Sequence, residues 1–409
     1  MNYEVALLFV FAWGLLVRLS IMYHIDPLSN YQHDIFWGGF GHWDYIKYFA
    51  QHFTLPNHYN GEAYQPPVHY IILGIFYRIA ELLRLNIPYF VQCVVLYMNF
   101  LLFIVMQKLI KLHTKNNGAI FWGMLIFIFF PANIIYALAL NNDSTLLFFS
   151  TIALYYLFLW FKQKTYKNVA LLGLFSSLAF LSKVNAAMIA VTLLIVVIIY
   201  IIVNRHEIKM LLKQAGVYIA AFAPLILLYC VHLARIKQNL FFDYPYNSLG
   251  NTFKDFFNFN IVELVKQPLS GNSLFEYLYK TSMFDEYGQY LHAYVLPLAR
   301  VLSALGLVVM AIWLFLFIKN ILKEKSKIHT YILPIFYLIT MVTMFIRRYQ
   351  SPATWNQHFR FIIPVLVVYG ASVAWGYEKV NNKYVRIGIN VVFALFAISS
   401  FAYYVILAD

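Results

Sequence analysis

The chain has 409 residues, 62% hydrophobic and only 11% charged, where a soluble globular domain carries about 25% charged residues. Aromatic residues reach 19%, and the net charge is +13. These proportions exclude a soluble enzyme, a disordered protein and a nucleic-acid-binding domain, and they assign the excess charge to basic loops on one side of a membrane.

The apolar run 5–17 opens the chain, with no basic residue before it. No small-x-small cleavage site follows, because Arg18 and then Met22-Tyr23-His24 come next. The expectation is an uncleaved first span. Crossing a bilayer takes roughly 17–25 apolar residues. Eleven runs qualify, near 3–22, 88–107, 119–138, 144–161, 168–184, 186–203, 211–233, 291–318, 329–346, 359–376 and 386–407. The fold class is therefore all-α, a polytopic membrane protein, read as a single transmembrane domain over 1–409 with no soluble tail after the last span. The two cysteines, Cys93 and Cys230, lie inside apolar runs, so no disulfide framework is visible.

Segment 67–85 is a twelfth candidate, and its status decides the topology downstream. If it does not cross, sixteen of the thirty basic residues fall in five short loops on one side, among them Lys108, Lys162, Arg205, Lys319 and Lys379. If it crosses, all sixteen move outside, against the positive-inside rule. Arg78, Glu81 and Arg84 also share one helix face while Ile75, Ile79, Leu82 and Leu83 occupy another, as in an interfacial helix. Eleven spans then place the N-terminus inside, the C-terminus outside, and two long connections, 23–87 and 234–290, outside.

The first outer loop carries the densest chemistry. Gly38, Gly39 and Gly41 allow close turns, and 42–53 reads as a short amphipathic helix. Trp43, Ile46, Phe49, Ala50 and Phe53 form one face; Asp44, Lys47, Gln51 and His52 form the other. Asp34, near the first span, is a candidate base that accepts a proton from an attacking hydroxyl; the bland reading is a turn cap. Asp44 is a site acid or an N-terminal helix charge, and Glu62 a site acid or a solvated loop residue.

Six of the twelve histidines, His24, His33, His42, His52, His58 and His69, lie in this region. No pair has a metal spacing such as H-E-x-x-H. The sequence assigns no metal ligand here and reads them as interfacial or hydrogen-bonding. A divalent cation shared by Asp34 and Asp143 stays open beside a merely shared cavity.

Asn141-Asn142-Asp143 stands at the outer entrance of the fourth span. It supplies a helix cap or a second site acid. Lys183, in Leu181-Ser182-Lys183, either snorkels or meets a phosphate. In the second outer loop, Lys280, Asp285 and Glu286 precede the eighth span. Arg347, Arg348 and Arg360 make the last outer connection basic, which breaks the charge trend. An anionic ligand explains this, because Arg forks match phosphate oxygens; lipid headgroups explain it too.

Taken together, Gln32-His33-Asp34, Gly41-His42, Tyr45-Ile46, Leu55-Pro56 and Gln65-Pro66-Pro67-Val68-His69-Tyr70 resemble the bacterial branch of the GT-C glycosyltransferases. Those enzymes use phospholipid carriers and are related to protein O-mannosyltransferases and the lipid A aminoarabinose transferase. Asn141-Asn142-Asp143-Ser144, Leu181-Ser182-Lys183 and Arg360-Phe361-Ile362-Ile363-Pro364 look like further family blocks, in order over residues 1 to about 376. The resemblance implies two juxtamembrane helices in the first outer loop and Asp34 as catalytic base. It implies Glu62 as a site acid, Lys183 as the lysine after the fifth span and Lys280 as the match to a cation of the large outer loop. The residues themselves add Asp143 as a second site acid and His33, His42, Asp44, Gln65, Arg347, Arg348 and Arg360 as substrate-binding candidates. The resemblance also implies a polyprenyl-phosphate sugar donor, a glycan, lipid or protein acceptor, and no nucleotide. The chain departs from the family in Gln65, where relatives have Lys or His, and in lacking a soluble C-terminal domain.

Three other readings compete. A flippase of lipid-linked sugars should show polar or broken helices at mid-membrane and related halves, yet few charges and no repeat appear. A ligase or polymerase of diphosphate-linked glycans shares the outer-face design. A non-catalytic scaffold needs none of these residues.

Overall fold

In lipid, a backbone must close its hydrogen bonds within its own segment, so each apolar run should be helical. The computed structural model describes residues 3–29, 34–36, 39–58, 60–236, 252–269, 271–285, 294–324, 327–350 and 357–408. His33 and Glu286 lie outside the described residues. All the regular elements are helices. They run α1 Tyr3–His24, α2 His42–His52, α3 Val68–Leu82, α4 Ile87–Lys111, α5 Asn117–Phe129, α6 Pro131–Tyr136, α7 Asp143–Lys162, α8 Tyr166–Phe180 and α9 Ala187–Val203. There follow α10 Ile208–Arg235, α11 Phe253–Phe257, α12 Ile261–Lys266, α13 Leu274–Phe284, α14 Leu296–Lys323, α15 Ile332–Gln350, α16 Val365–Glu378 and α17 Lys383–Ala408.

Among the described residues, eight helices are long and apolar enough to cross a membrane. The chain is a multi-pass membrane protein. Three of the eleven expected spans are shorter: α5 has 13 residues, α8 has 15 and α16 has 14. At 1.5 Å per residue each falls short of the ~30 Å hydrocarbon layer. Every residue from Val365 to Tyr377 of α16 is buried, so its surroundings are protein.

By packing, the chain divides into two units. Residues 1–24, 106–135 and 245–409 form the first, and residues 25–105 and 136–244 the second. In the first, α5 and α16 meet through small residues: a Cβ on Gly123 would lie 2.7 Å from both the Ala374 Cβ and the Gly370 carbonyl. Close backbone approach of this kind replaces the hydrophobic drive that lipid removes. Pro131, which has no N–H, separates α5 from α6. The carbonyls left open at this break are taken by side chains. Asn133 Nδ2 donates to Phe127 O at 2.7 Å and Ser400 Oγ to Phe129 O at 2.8 Å. Arg18 Nη2 donates to Ile128 O and Asn133 O at 3.1 Å, and its Nη1 to Gly14 O at 2.7 Å. Arg18 is wholly buried. It is thus a structural cation of the protein interior, held by backbone carbonyl dipoles.

In the second unit, α8 packs on α7 and α10, and α2 packs on α3. The core about α2 and α3 is aromatic, with Trp43, Tyr45, Ile46, Tyr70, Leu73 and Tyr77 joined by Val91, Val95 and Leu140. Tyr45 and Tyr70 stack 3.8 Å apart at 7°. Such a pair adds about 0.5–1.5 kcal/mol beyond its burial. The α2 face differs from the expectation at one end: Phe53 is left-handed, with φ 53°, and 60% exposed. Its N–H closes the helix on Phe49 O at 2.8 Å, which turns the ring off the packed face. Helix α3 buries Tyr70, Leu73, Tyr77 and Ala80 and leaves Ile75, Ile79 and Leu82 exposed. The Arg78–Glu81 ion pair is exposed as well.

Candidate functional site

The segment that follows α1 folds back on α2. Asp34 has φ 55°, and its carbonyl accepts the His42 N–H at 3.1 Å. Trp43 N–H donates to Ile35 O at 3.1 Å, and Glu62 N–H to Phe40 O at 2.7 Å. Gly41 makes this possible, because a Cβ there would lie 2.2 Å from Ile35 O. Three positions within 29 residues, Asp34, Ile35 and Glu62, are so tied to one helix start. Asp44 Oδ2 accepts the Gly41 N–H at 2.9 Å and caps that start.

These ties gather three side chains. One ligand atom each from Asp34, His42 and Glu62 lies within 4.8 Å of the others. His42 is 2% exposed and Glu62 is 5%. His42 Nε2 stands 4.0 Å from Glu62 Oε2, while Nδ1 is 2.7 Å from the Tyr70 hydroxyl. Burial, with the Glu62 charge second, raises the Tyr70 pKa well above its usual value, so the phenol keeps its proton.

One residue on, His69 belongs to a second group. Its Nε2 donates to Leu140 O at 3.1 Å, and Nδ1 stands 3.3 Å from Thr145 Oγ1. Burial lowers the His69 pKa to about 4, so the ring is neutral at pH 7. Asn142 Nδ2 donates to Gln65 Oε1 at 3.2 Å, and Asp143 Oδ1 accepts from Lys183 Nζ at 2.5 Å. The Val68 N–H donates to Leu181 O at 2.9 Å. The three sequence blocks 65–70, 141–145 and 181–183 therefore converge. Asp143 is fully buried, and its Oδ2 and the Asn141 Nδ2 have no hydrogen-bond partner among the described residues.

Comparison with known proteins places this geometry. Residues 64–233 match the family model of dolichyl-phosphate-mannose-protein mannosyltransferase. ArnT from Cupriavidus metallidurans in the apo state is similar at TM-score 0.60 and 14% identity, over 99% of this chain and 77% of that one. Its form bound to undecaprenyl phosphate gives 0.58 and 13%, over 100% and 77%. The archaeal oligosaccharyltransferase AglB from Archaeoglobus fulgidus, in complex with an inhibitory peptide and a dolichol-phosphate, gives 0.55 and 14%, over 98% and 55%. The chain has the GT-C fold of these structures. No curated protein matches it in sequence.

The remaining predicted cations lie in the first unit. Arg347 stacks on the Phe361 ring at 3.7 Å, and Arg360 lies 5.1 Å from the same ring. Arg348 donates to Gln357 Oε1 at 2.6 Å and pairs with Asp255 at 3.4 Å. Lys280 lies over Tyr277, 5.1 Å from the ring centroid. Sequence reasoning missed the buried His358–Asp285 pair, 2.5 Å apart, next to this arginine group. It also missed Tyr70, whose only local sign was its place at the end of the Gln65–Tyr70 block.

Proposed function

We propose that the protein is an integral membrane glycosyltransferase that moves a monosaccharide from a polyprenyl-phosphate carrier to an acceptor hydroxyl at the extracytoplasmic face. We infer also that residues 1–409 act as one transmembrane domain, with the N-terminus cytoplasmic. The observation that carries the reading is the convergence of Asp34, His42 and Glu62 beside the 65–70, 141–145 and 181–183 blocks in a GT-C fold. The carrier phosphates named with the ArnT and AglB structures support it.

In this reading Asp34 accepts the proton of the acceptor hydroxyl as its oxygen attacks the anomeric carbon. The bond from that carbon to the carrier phosphate breaks, and its electron pair leaves with the phosphate oxygen. Direct displacement inverts the configuration. Lys183, held by Asp143, stabilises the charge that develops on the departing phosphate. His33, His42, Asp44 and Gln65 position the substrate. Arg347, Arg348, Arg360 and Lys280 form a cationic group suited to phosphate oxygens. Glu62 and Asp143 complete the acidic side of the site.

The test is transfer from labelled polyprenyl-phosphate monosaccharides in membranes containing wild type or Asp34→Asn at matched expression, read as released polyprenyl phosphate. A general base contributes about 10²–10⁴-fold, so the variant should lose that much. Equal turnover by the variant refutes Asp34 as base. No turnover with any donor, together with movement of the sugar lipid across the bilayer, replaces the enzyme by a transporter.

A further inference from the structure

We propose that Asp34, His42 and Glu62 bind a divalent first-row transition ion of the zinc or manganese type. The residues are 8 and 20 positions apart in sequence, and no helix periodicity brings them together. Their convergence is built by the three backbone hydrogen bonds that tie segment 34–36 and Glu62 to the start of α2. The donor set is one imidazole and two carboxylates within 4.8 Å of one another. Imidazole with carboxylate suits zinc or manganese, whereas calcium and magnesium favour all-oxygen sites.

A second observation is the way His42 is held. Its Nδ1 is 2.7 Å from the Tyr70 hydroxyl, and the two rings stack at 14°. A phenol oxygen that accepts from Nδ1–H leaves the Nε2 lone pair directed at Glu62. Ligating histidines are oriented in this manner, through the nitrogen that does not touch the metal. The 4.0 Å between His42 Nε2 and Glu62 Oε2 is longer than a direct hydrogen bond. It falls within the span of two bonds of about 2.1 Å to one ion. A cation also offsets the cost of burying the Glu62 carboxylate. Three protein ligands leave coordination positions for a substrate oxygen, as catalytic rather than structural sites do. A carboxylate has two oxygens, so Asp34 can ligate with one and face the acceptor hydroxyl with the other.

The ion's role rests on the proposed transfer reaction; its binding does not. The experiment is calorimetric titration of chelator-stripped, detergent-solubilised full-length protein with Zn²⁺, Mn²⁺ and Co²⁺, with elemental analysis after dialysis. One ion per chain is expected, and the Co²⁺ form should show visible bands of a mixed nitrogen and oxygen site. Glu62→Gln and His42→Asn should each weaken binding by more than ~10-fold, and Tyr70→Phe, which loosens only the orientation of His42, by roughly 10-fold. The exposed Glu81→Gln should leave it unchanged. Glu62→Gln keeps the side-chain shape and reads the site even if His42→Asn does not fold. Absence of stoichiometric binding by wild type, or binding that survives His42→Asn with Glu62→Gln, overturns the proposal. Donor turnover without metal binding removes the ion and keeps the transferase; metal binding without turnover of any donor does the reverse.

Discussion

The Asp143–Lys183 pair offers the sharpest separation of structure from function. Its side chains are 0% and 9% exposed, and its charged atoms are 2.5 Å apart. Lys183→Met removes the ammonium and leaves a buried carboxylate without that partner. Breaking one side of such a pair costs about 3–5 kcal/mol, whereas replacing both sides by apolar groups is often neutral or stabilising. Lys183→Met should therefore melt well below wild type. Asp143→Leu with Lys183→Met should recover most of the loss. A double-mutant cycle on thermal or denaturant midpoints in one detergent, at pH 7, measures the coupling. Donor turnover gives the second readout: if Lys183 serves the carrier phosphate, the double variant regains stability without activity. A Lys183→Met protein that unfolds with wild type refutes the buried-pair argument. A double variant that turns over donor normally reduces both residues to packing.

Four further outcomes follow from the geometry. Burial lowers the His69 pKa from 6.5 to about 4. The unfolded chain thus binds the proton first, and stability present above pH 6.5 declines as pH falls toward 4, on the order of 3 kcal/mol in all. His69→Gln should flatten the melting temperature over that window. Ser400→Ala leaves Phe129 O without its 2.8 Å donor and should cost about 1–3 kcal/mol. Arg18→Met, which withdraws three hydrogen bonds, should cost more in the same melt. Gly41→Ala places a Cβ 2.2 Å from Ile35 O, so it should lower the melting temperature by an overpacking cost of about 1–3 kcal/mol and weaken Zn²⁺ binding together.

Hydropathy and the Pro and Gly punctuation made the helical order legible, because in lipid these decide where backbone bonds close. The mixed faces of 67–85 argued against a crossing helix, and α3, 15 residues long, is not among the helices long and apolar enough to cross a membrane. The length of three inner helices was not. A span of ~20 residues is what a lipid-facing helix needs, and α16 is enclosed by protein along 365–377. Arg18 read as the flank of the run 5–17, yet α1 continues to His24 and buries it. Two of its three acceptors, Ile128 O and Asn133 O, lie more than a hundred residues away on either side of Pro131, and no local pattern reports them. The grouping of Asp34, His42 and Glu62 was invisible for a related reason. It depends on left-handed turns at Asp34, Gly39 and Gly61, with φ 55°, 77° and 54°, and spacing rules for metal sites presume a regular element.

How so apolar a chain holds a polar site follows from where its side chains sit. His42 is the first residue of α2, His69 the second of α3 and Asp143 the first of α7, while Lys183 stands just beyond the end of α8. Helix ends already carry unpaired backbone groups, so polar side chains there replace a need that exists in any case. The charges also have the favoured signs, with a carboxylate at the N-terminus of α7 and an ammonium past the C-terminus of α8. The two helix dipoles thus favour the charged forms of the Asp143–Lys183 pair before any contact between them counts. A site assembled from helix ends can be strongly polar while the helix bodies stay apolar enough for the membrane. By the same logic, moving Lys183 one turn back, as in Ser182→Ala with Ala179→Lys and Lys183→Ala, should not restore the pair. The ammonium would then move from past the end of α8 into its last turn, at a position where Ala179 is fully buried.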